Sequence, residues 1–225
     1  MFSRLISTRF THSDSLSRSV LLCMGLVDEL VAGLPVVALP LLRDRLSLSY
    51  TQIGWLFTLG ALSGMMLDPF INLFSDRGSK KPWILWGLLI LAVAFSVIGS
   101  TTNYALLVLA FAIYWPAGGM ATGLSEAALI DAAPNASTRT MTRWTLLASI
   151  GDFLSPLVVA VFVALHLGWT ELCWLATGCW LGAALLLAPL CFPVRAVTAE
   201  VDESEETTSL WARLHEALRD PLLLR

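Results

Sequence analysis

Apolar residues run along this chain in six blocks, at 20–42, 53–74, 83–100, 105–130, 144–165 and 171–192, separated by short polar connections. Each block is near or above the roughly 20 residues that a helix needs to cross a bilayer. No Lys or Arg lies inside any of them. The blocks lack the strict alternation of barrel strands, and in hydrocarbon every backbone N–H and C=O must find its partner within the span. The pattern therefore predicts an all-α fold, a polytopic membrane protein built as a bundle of six transmembrane helices. Pro35, Pro40, Pro69, Pro116, Pro156 and Pro189 fall in or near the ends of these blocks and predict kinks or broken turns. Gly118, Gly119 and Gly123 give the fourth block small residues that allow close helix approach.

Composition agrees. A chain of 225 residues that is 56% hydrophobic and 14% charged cannot bury its apolar surface in a water-soluble globule. The charges that remain are sorted by side. Arg4, Arg9, Arg18, Arg77, Lys80, Lys81, Arg139, Arg143 and Arg195 fall on one side of the alternating connections, against Arg43 and Arg45 on the other. Nine against two places the first set in the cytoplasm by the positive-inside rule, which predicts both termini cytoplasmic in a multi-pass protein of the cell (inner or plasma) membrane.

Domain organisation follows. Residues 1–19 read as a cytoplasmic N-terminal tail and 20–192 as the transmembrane bundle. Residues 193–225 combine an acidic linker (Glu200, Asp202, Glu203, Glu205, Glu206) with an amphipathic stripe of Leu210, Trp211, Leu214 and Leu218, closed by Asp220-Pro221. Leu222, Leu223 and Leu224 read as the truncated start of a seventh span.

The chemistry resides in acids. Asp28 and Glu29 lie in the first span, Asp68 in the second, Glu126 in the fourth and Asp152 in the fifth, without a basic partner in these blocks. A carboxylate in hydrocarbon costs several kcal/mol unless it is paired, protonated or faces a cavity, so each is a candidate for substrate binding or proton coupling. Asp28 and Asp152 each lie eight residues into their blocks, about 12 Å along the helix, and so at one level. Asp28 and Glu29 point about 100° apart, so only one of them faces a central cavity while the other packs or finds a polar neighbour.

The segment from Asp68-Pro69 through Ser75-Asp76-Arg77-Gly78-Ser79-Lys80-Lys81-Pro82-Trp83 crosses from the second span into the third. It resembles the signature loop of the major facilitator superfamily. Within that superfamily, Asp68-Pro69, Ser75-Asp76-Arg77 and the run from Lys81 to Leu85 look like the glycoside-pentoside-hexuronide cation symporters. Asn72 stands where the superfamily loop has its first Gly, and Gly64 where those symporters often carry a further acid. The resemblance implies half of a twelve-helix fold. It implies a secondary transporter of a small solute working by alternating access with protons, sugar-like symport being favoured over drug or metabolite efflux by antiport. Asp28, Asp152, Asp68 and Glu126 would serve substrate and proton, and Asp76, Arg77, Gly78, Lys80 and Lys81 the cytoplasmic gate loop. The partners it implies are the bilayer, a small molecule, protons and a second six-helix bundle, either a C-terminal half or a second copy in a homodimer. No cofactor or metal is implied.

Other classes fit less well. His12, His166 and His215 all lie outside the blocks, so a membrane enzyme would have no intramembrane His base or His ligand. Cys23, Cys173, Cys179 and Cys191 show no metal-ligand spacing and read as small buried hydrophobes. There is no basic, aromatic-interleaved patch for nucleic acid. A membrane assembly protein without transport activity is the remaining alternative class.

Overall fold

A computed structural model describes residues 2–76 and 78–190. The stretch 193–225, read as linker, amphipathic helix and start of a seventh span, lies outside the described residues. So does Arg77.

The described chain is helical and forms the six-span bundle. In order, α1 is Phe2–Ala32, α2 Leu34–Val37, α3 Leu39–Leu46, α4 Tyr50–Ser75 and α5 Lys80–Ser100. Then come α6 Tyr104–Gly118, a π-helical turn Gly119–Gly123, α7 Leu124–Ala132, a 3₁₀ turn Pro134–Ala136, α8 Ser137–Ala164 and α9 Trp169–Leu187. The six segments long and apolar enough to cross a membrane are Leu16–Val37, Tyr50–Ser75, Lys80–Ser100, Tyr104–Ala132, Ser137–Ala164 and Trp169–Leu187. The polar stretch at 137–143 continues the fifth span helically beyond its apolar block, and residues 2–19 continue α1 rather than forming a separate element.

The sequence fixes the ends of these helices through caps. Ser49 and Gln52 form a reciprocal capping box at α4, with Gln52 N donating to Ser49 Oγ at 3.2 Å and Ser49 N donating to Gln52 Oε1 at 2.9 Å. Asn103 Oδ1 accepts from Ala105 N at 2.9 Å and opens α6. At the end of the first span the chain breaks at Gly33 and again at Ala38, because Pro35 and Pro40 occupy the opening turns of α2 and α3.

The third span is innermost. Ile84, Leu88, Leu91, Phe95 and Ile98 recur at helical spacing and are each at most 1% exposed. They pack against α6 on one side and α9 on the other, where Leu107, Phe111, Ala176 and Trp180 are fully buried. The remaining principal pairings are α1 with α8 and α4 with α6. Outward faces of α4 and α8 are apolar and open: Met65, Met66, Phe70, Phe153 and Val161 are all exposed, a surface for lipid or another apolar partner to cover.

Candidate functional site: intramembrane carboxyls and a basic loop

Mid-bundle, α1 meets α8 and α6, and the meeting is set by glycine. A Cβ at Gly151 would stand 2.4 Å from Leu26 O and 2.9 Å from Leu30 N, so only glycine lets the two backbones approach this closely. One turn or two away, the Trp144 indole lies flat on Gly25, where a Cβ would be 3.0 Å from its ring. These two contacts fix the rotation of α1 about its axis, and with it the directions of its two acids.

Asp28 turns to the fourth span. Its polar neighbours there are Thr122 in the π turn and Tyr114 of α6. The Thr122 hydroxyl donates to Gly118 O at 2.9 Å, and the Tyr114 hydroxyl donates to Ala32 O at 3.2 Å, tying α6 to the last turn of α1. Glu29, about 100° round the helix, turns to the fifth span, its Cβ 3.1 Å from where a Cβ at Gly151 would stand, which puts it beside Asp152. The sequence placed Asp28 and Asp152 at one level, but it is Glu29 that lies against the Gly151–Asp152 turn of α8. Both acids of α1 are half-buried, while Asp152 is exposed on the open face of α8.

Asp68 stands apart from that group. It is half-buried on α4 against the π turn, where a Cβ at Gly119 would lie 2.6 Å from its Oδ1, and that oxygen has no hydrogen-bond partner among the described residues. Pro116 explains the irregular backbone it faces. Lacking an N–H, Pro116 cannot serve Ala112 O one turn earlier, and Ser63 Oγ of α4 reaches that carbonyl at 2.6 Å instead. The π turn follows three residues later. Glu126 sits on α7 one turn past Thr122, half-buried.

The loop between the second and third spans is anchored to its own bundle. Asp76 caps α4 and is exposed, and Gly78 N donates to Ser75 O at 3.4 Å. Lys80 Nζ pairs with Asp131 at 2.6 Å and with Asp76 at 3.5 Å, joining the loop to the end of α7. Lys81 Nζ donates to Ala188 O and Leu190 O, both at 2.7 Å, satisfying carbonyls that the end of α9 leaves free. Arg18 donates to Ala132 O at 2.9 Å on the same side. On the opposite side Arg45 donates to Gly99 O, and the Arg43 guanidinium lies 4.5 Å from the Tyr50 ring centroid.

Six helices long and apolar enough to cross a membrane, with acids along them, define a multi-pass membrane protein. The chain belongs to the Major Facilitator Superfamily, whose family model matches residues 21–224. That superfamily comprises secondary transporters of small solutes. A shorter likeness is to the sucrose transport protein SUT1 of rice, in both the japonica and the indica subspecies, at 31% identity over 65 residues. The matched stretch covers 27% of this chain and 12% of the rice protein.

Proposed function

We propose that this chain is the N-terminal six-helix half of a proton-coupled secondary transporter that moves a sugar-like solute by alternating access. The observation that carries this reading is the set of acids at mid-depth, Asp28, Glu29, Asp152 and Asp68, inside a superfamily bundle whose blocks hold no intramembrane cation. A carboxyl that neither an Arg nor a Lys neutralises can take up and give back a proton as its exposure alternates between the two faces of the membrane. Support for a sugar-like solute comes from the Asp68–Leu85 resemblance to glycoside symporters and from the likeness to a sucrose transport protein. Asp28, with Thr122 and Tyr114 beside it, and Asp68 at the π turn offer acceptors suited to solute hydroxyls. Glu126 lies along the route toward the N-terminal side.

The second six-helix bundle that alternating access needs, a C-terminal half or a second copy, would pack on the open faces of α4 and α8. In this reading the N-terminus and the loop of Asp76, Arg77, Gly78, Lys80 and Lys81 are cytoplasmic, the membrane is the plasma or inner membrane, and the loop acts as the gate.

The test is uptake of labelled sucrose and other glycosides into proteoliposomes bearing the protein and its second bundle, under an imposed pH gradient with and without a protonophore. Accumulation that the protonophore collapses, and that Asp28→Asn diminishes, is expected. Accumulation indifferent to the protonophore would remove proton coupling.

A further inference from the structure

We propose that Glu29 and Asp152 together hold the coupling proton, as a carboxylic acid hydrogen-bonded to a carboxylate across the crossing of α1 and α8. This deepens the transport reading above and rests on it for its role in coupling.

Geometry brings the pair together. Gly151 precedes Asp152 and lies against residues 26–30 of α1, with its would-be Cβ 3.1 Å from Glu29 Cβ, so the closest backbone approach in this crossing sits directly beside the two carboxyls. Two carboxyl groups in hydrogen-bonding reach offer only acceptors when both are ionised, and a single proton between them turns repulsion into an O–H···O bond. One turn further along both helices lies Ser155, 1% exposed, its Oγ without a hydrogen-bond partner among the described residues. That hydroxyl points at the turn from Glu29 to Gly33, where a Gly33 Cβ would stand 3.1 Å from Ser155 Oγ and 2.8 Å from Glu29 O. A buried donor with nothing to serve, at the lip of a carboxyl pair, is placed to take the next link when a carboxylate oxygen swings toward it. The other titratable groups near Glu29 are Asp28 on α1 and Tyr114 on α6.

The step is a proton transfer alone. While the second bundle covers the open face of α8, the pair carries one proton and one negative charge. When the two bundles rock and that face opens to water, the proton leaves through the exposed Asp152 to the open side, and two carboxylates remain until a proton from the other side is taken up. Asp28, turned toward Thr122, stays outside this exchange and is left to the solute.

The experiment is infrared spectroscopy of the reconstituted protein at neutral pH in the protonated-carboxyl region, combined with gradient-driven uptake. Glu29→Gln and Asp152→Asn are each expected to remove the same protonated-carboxyl band and to lose uphill accumulation while solute exchange persists. Asp28→Asn is expected to leave the band. Because a single variant can disturb folding, the exchanged double variant Glu29→Asp with Asp152→Glu keeps two carboxyls at the crossing and is expected to restore the band. A band that survives both single variants, or that Asp28→Asn alone removes, overturns the proposal. If the wild type accumulates no solute under a pH gradient, the transport reading falls, and the band comparison still decides whether the pair holds a proton.

Discussion

Replacing Gly151 by alanine adds one methyl group at the tightest point between α1 and α8. The new Cβ would stand 2.4 Å from Leu26 O and 2.9 Å from Leu30 N, where ordinary contact begins near 3.4 Å. Both neighbours are backbone, which no rotamer change can move, so the helices must separate by about 1 Å. Overpacking of this kind costs about 1–3 kcal/mol, and here the rigid neighbours place it in the upper part of that range. Alanine's better helix propensity offsets up to about 1 kcal/mol, leaving a net loss of about 1–2 kcal/mol. For a chain of this size that corresponds to a fall in melting temperature of about 2–8 °C. Thermal unfolding of the purified protein in detergent, followed by tryptophan fluorescence, measures it. Gly54→Ala and Gly182→Ala are the controls, since nothing stands within 4 Å of a Cβ at either position, and both should melt at or above the wild-type temperature. Gly151→Ala melting level with those controls would refute the claim that this crossing is glycine-limited.

Three further outcomes are expected. Single cysteines at Thr102 and Thr170, in a background without the native four, should react with an impermeant maleimide added outside intact cells, while those at Ser79 and Ser137 should react only after permeabilisation; external labelling at Ser79 would invert the orientation. Lys80→Ala should destabilise the bundle by about 1 kcal/mol through loss of the partly buried Asp131 pair at 2.6 Å, and a double-mutant cycle of Lys80→Ala with Asp131→Ala should return a coupling energy of about 0.5 kcal/mol or more; strict additivity would assign the loop's anchoring elsewhere. The chain reconstituted alone should insert but show no uptake, with activity appearing on co-expression with a second six-helix bundle; uptake by the chain alone at the rate of the co-expressed pair would show that no distinct second bundle is needed.

The six spans were legible because each backbone segment in lipid must satisfy itself, which leaves long apolar runs that hydropathy reads directly. Pro35, Pro40 and Pro116 likewise announced broken turns, and the structure has them at Gly33, at Ala38 and in the π turn after Gly118. The pairing of acids was not legible. Depth along a helix follows from counting residues, and it put Asp28 and Asp152 at one level. Rotation about the helix axis follows from tertiary contacts, here Gly151 on residues 26–30 and Trp144 on Gly25, and these turn Glu29 rather than Asp28 toward Asp152. Tyr114 and Thr122 carried no signal of their own in an apolar block, because a hydroxyl there reads as an ordinary span residue until its neighbour is known. The polar ends of the spans were also beyond hydropathy: the 137–143 stretch and residues 16–19 continue α8 and α1 without apolar content of their own. Asp131 gave no hint of its partner, since its ion pair with Lys80 joins the end of α7 to the start of α5, 51 residues apart in the chain.

The central claim, solute movement coupled to protons, is tested most directly by recording the pH of a lightly buffered suspension of de-energised cells expressing the protein when a transported glycoside is added. Symport predicts a transient alkalinisation of the medium on addition, abolished by a protonophore and absent in Glu29→Gln and Asp152→Asn cells. Uptake of labelled glycoside by the same cells with no change in external pH would contradict it.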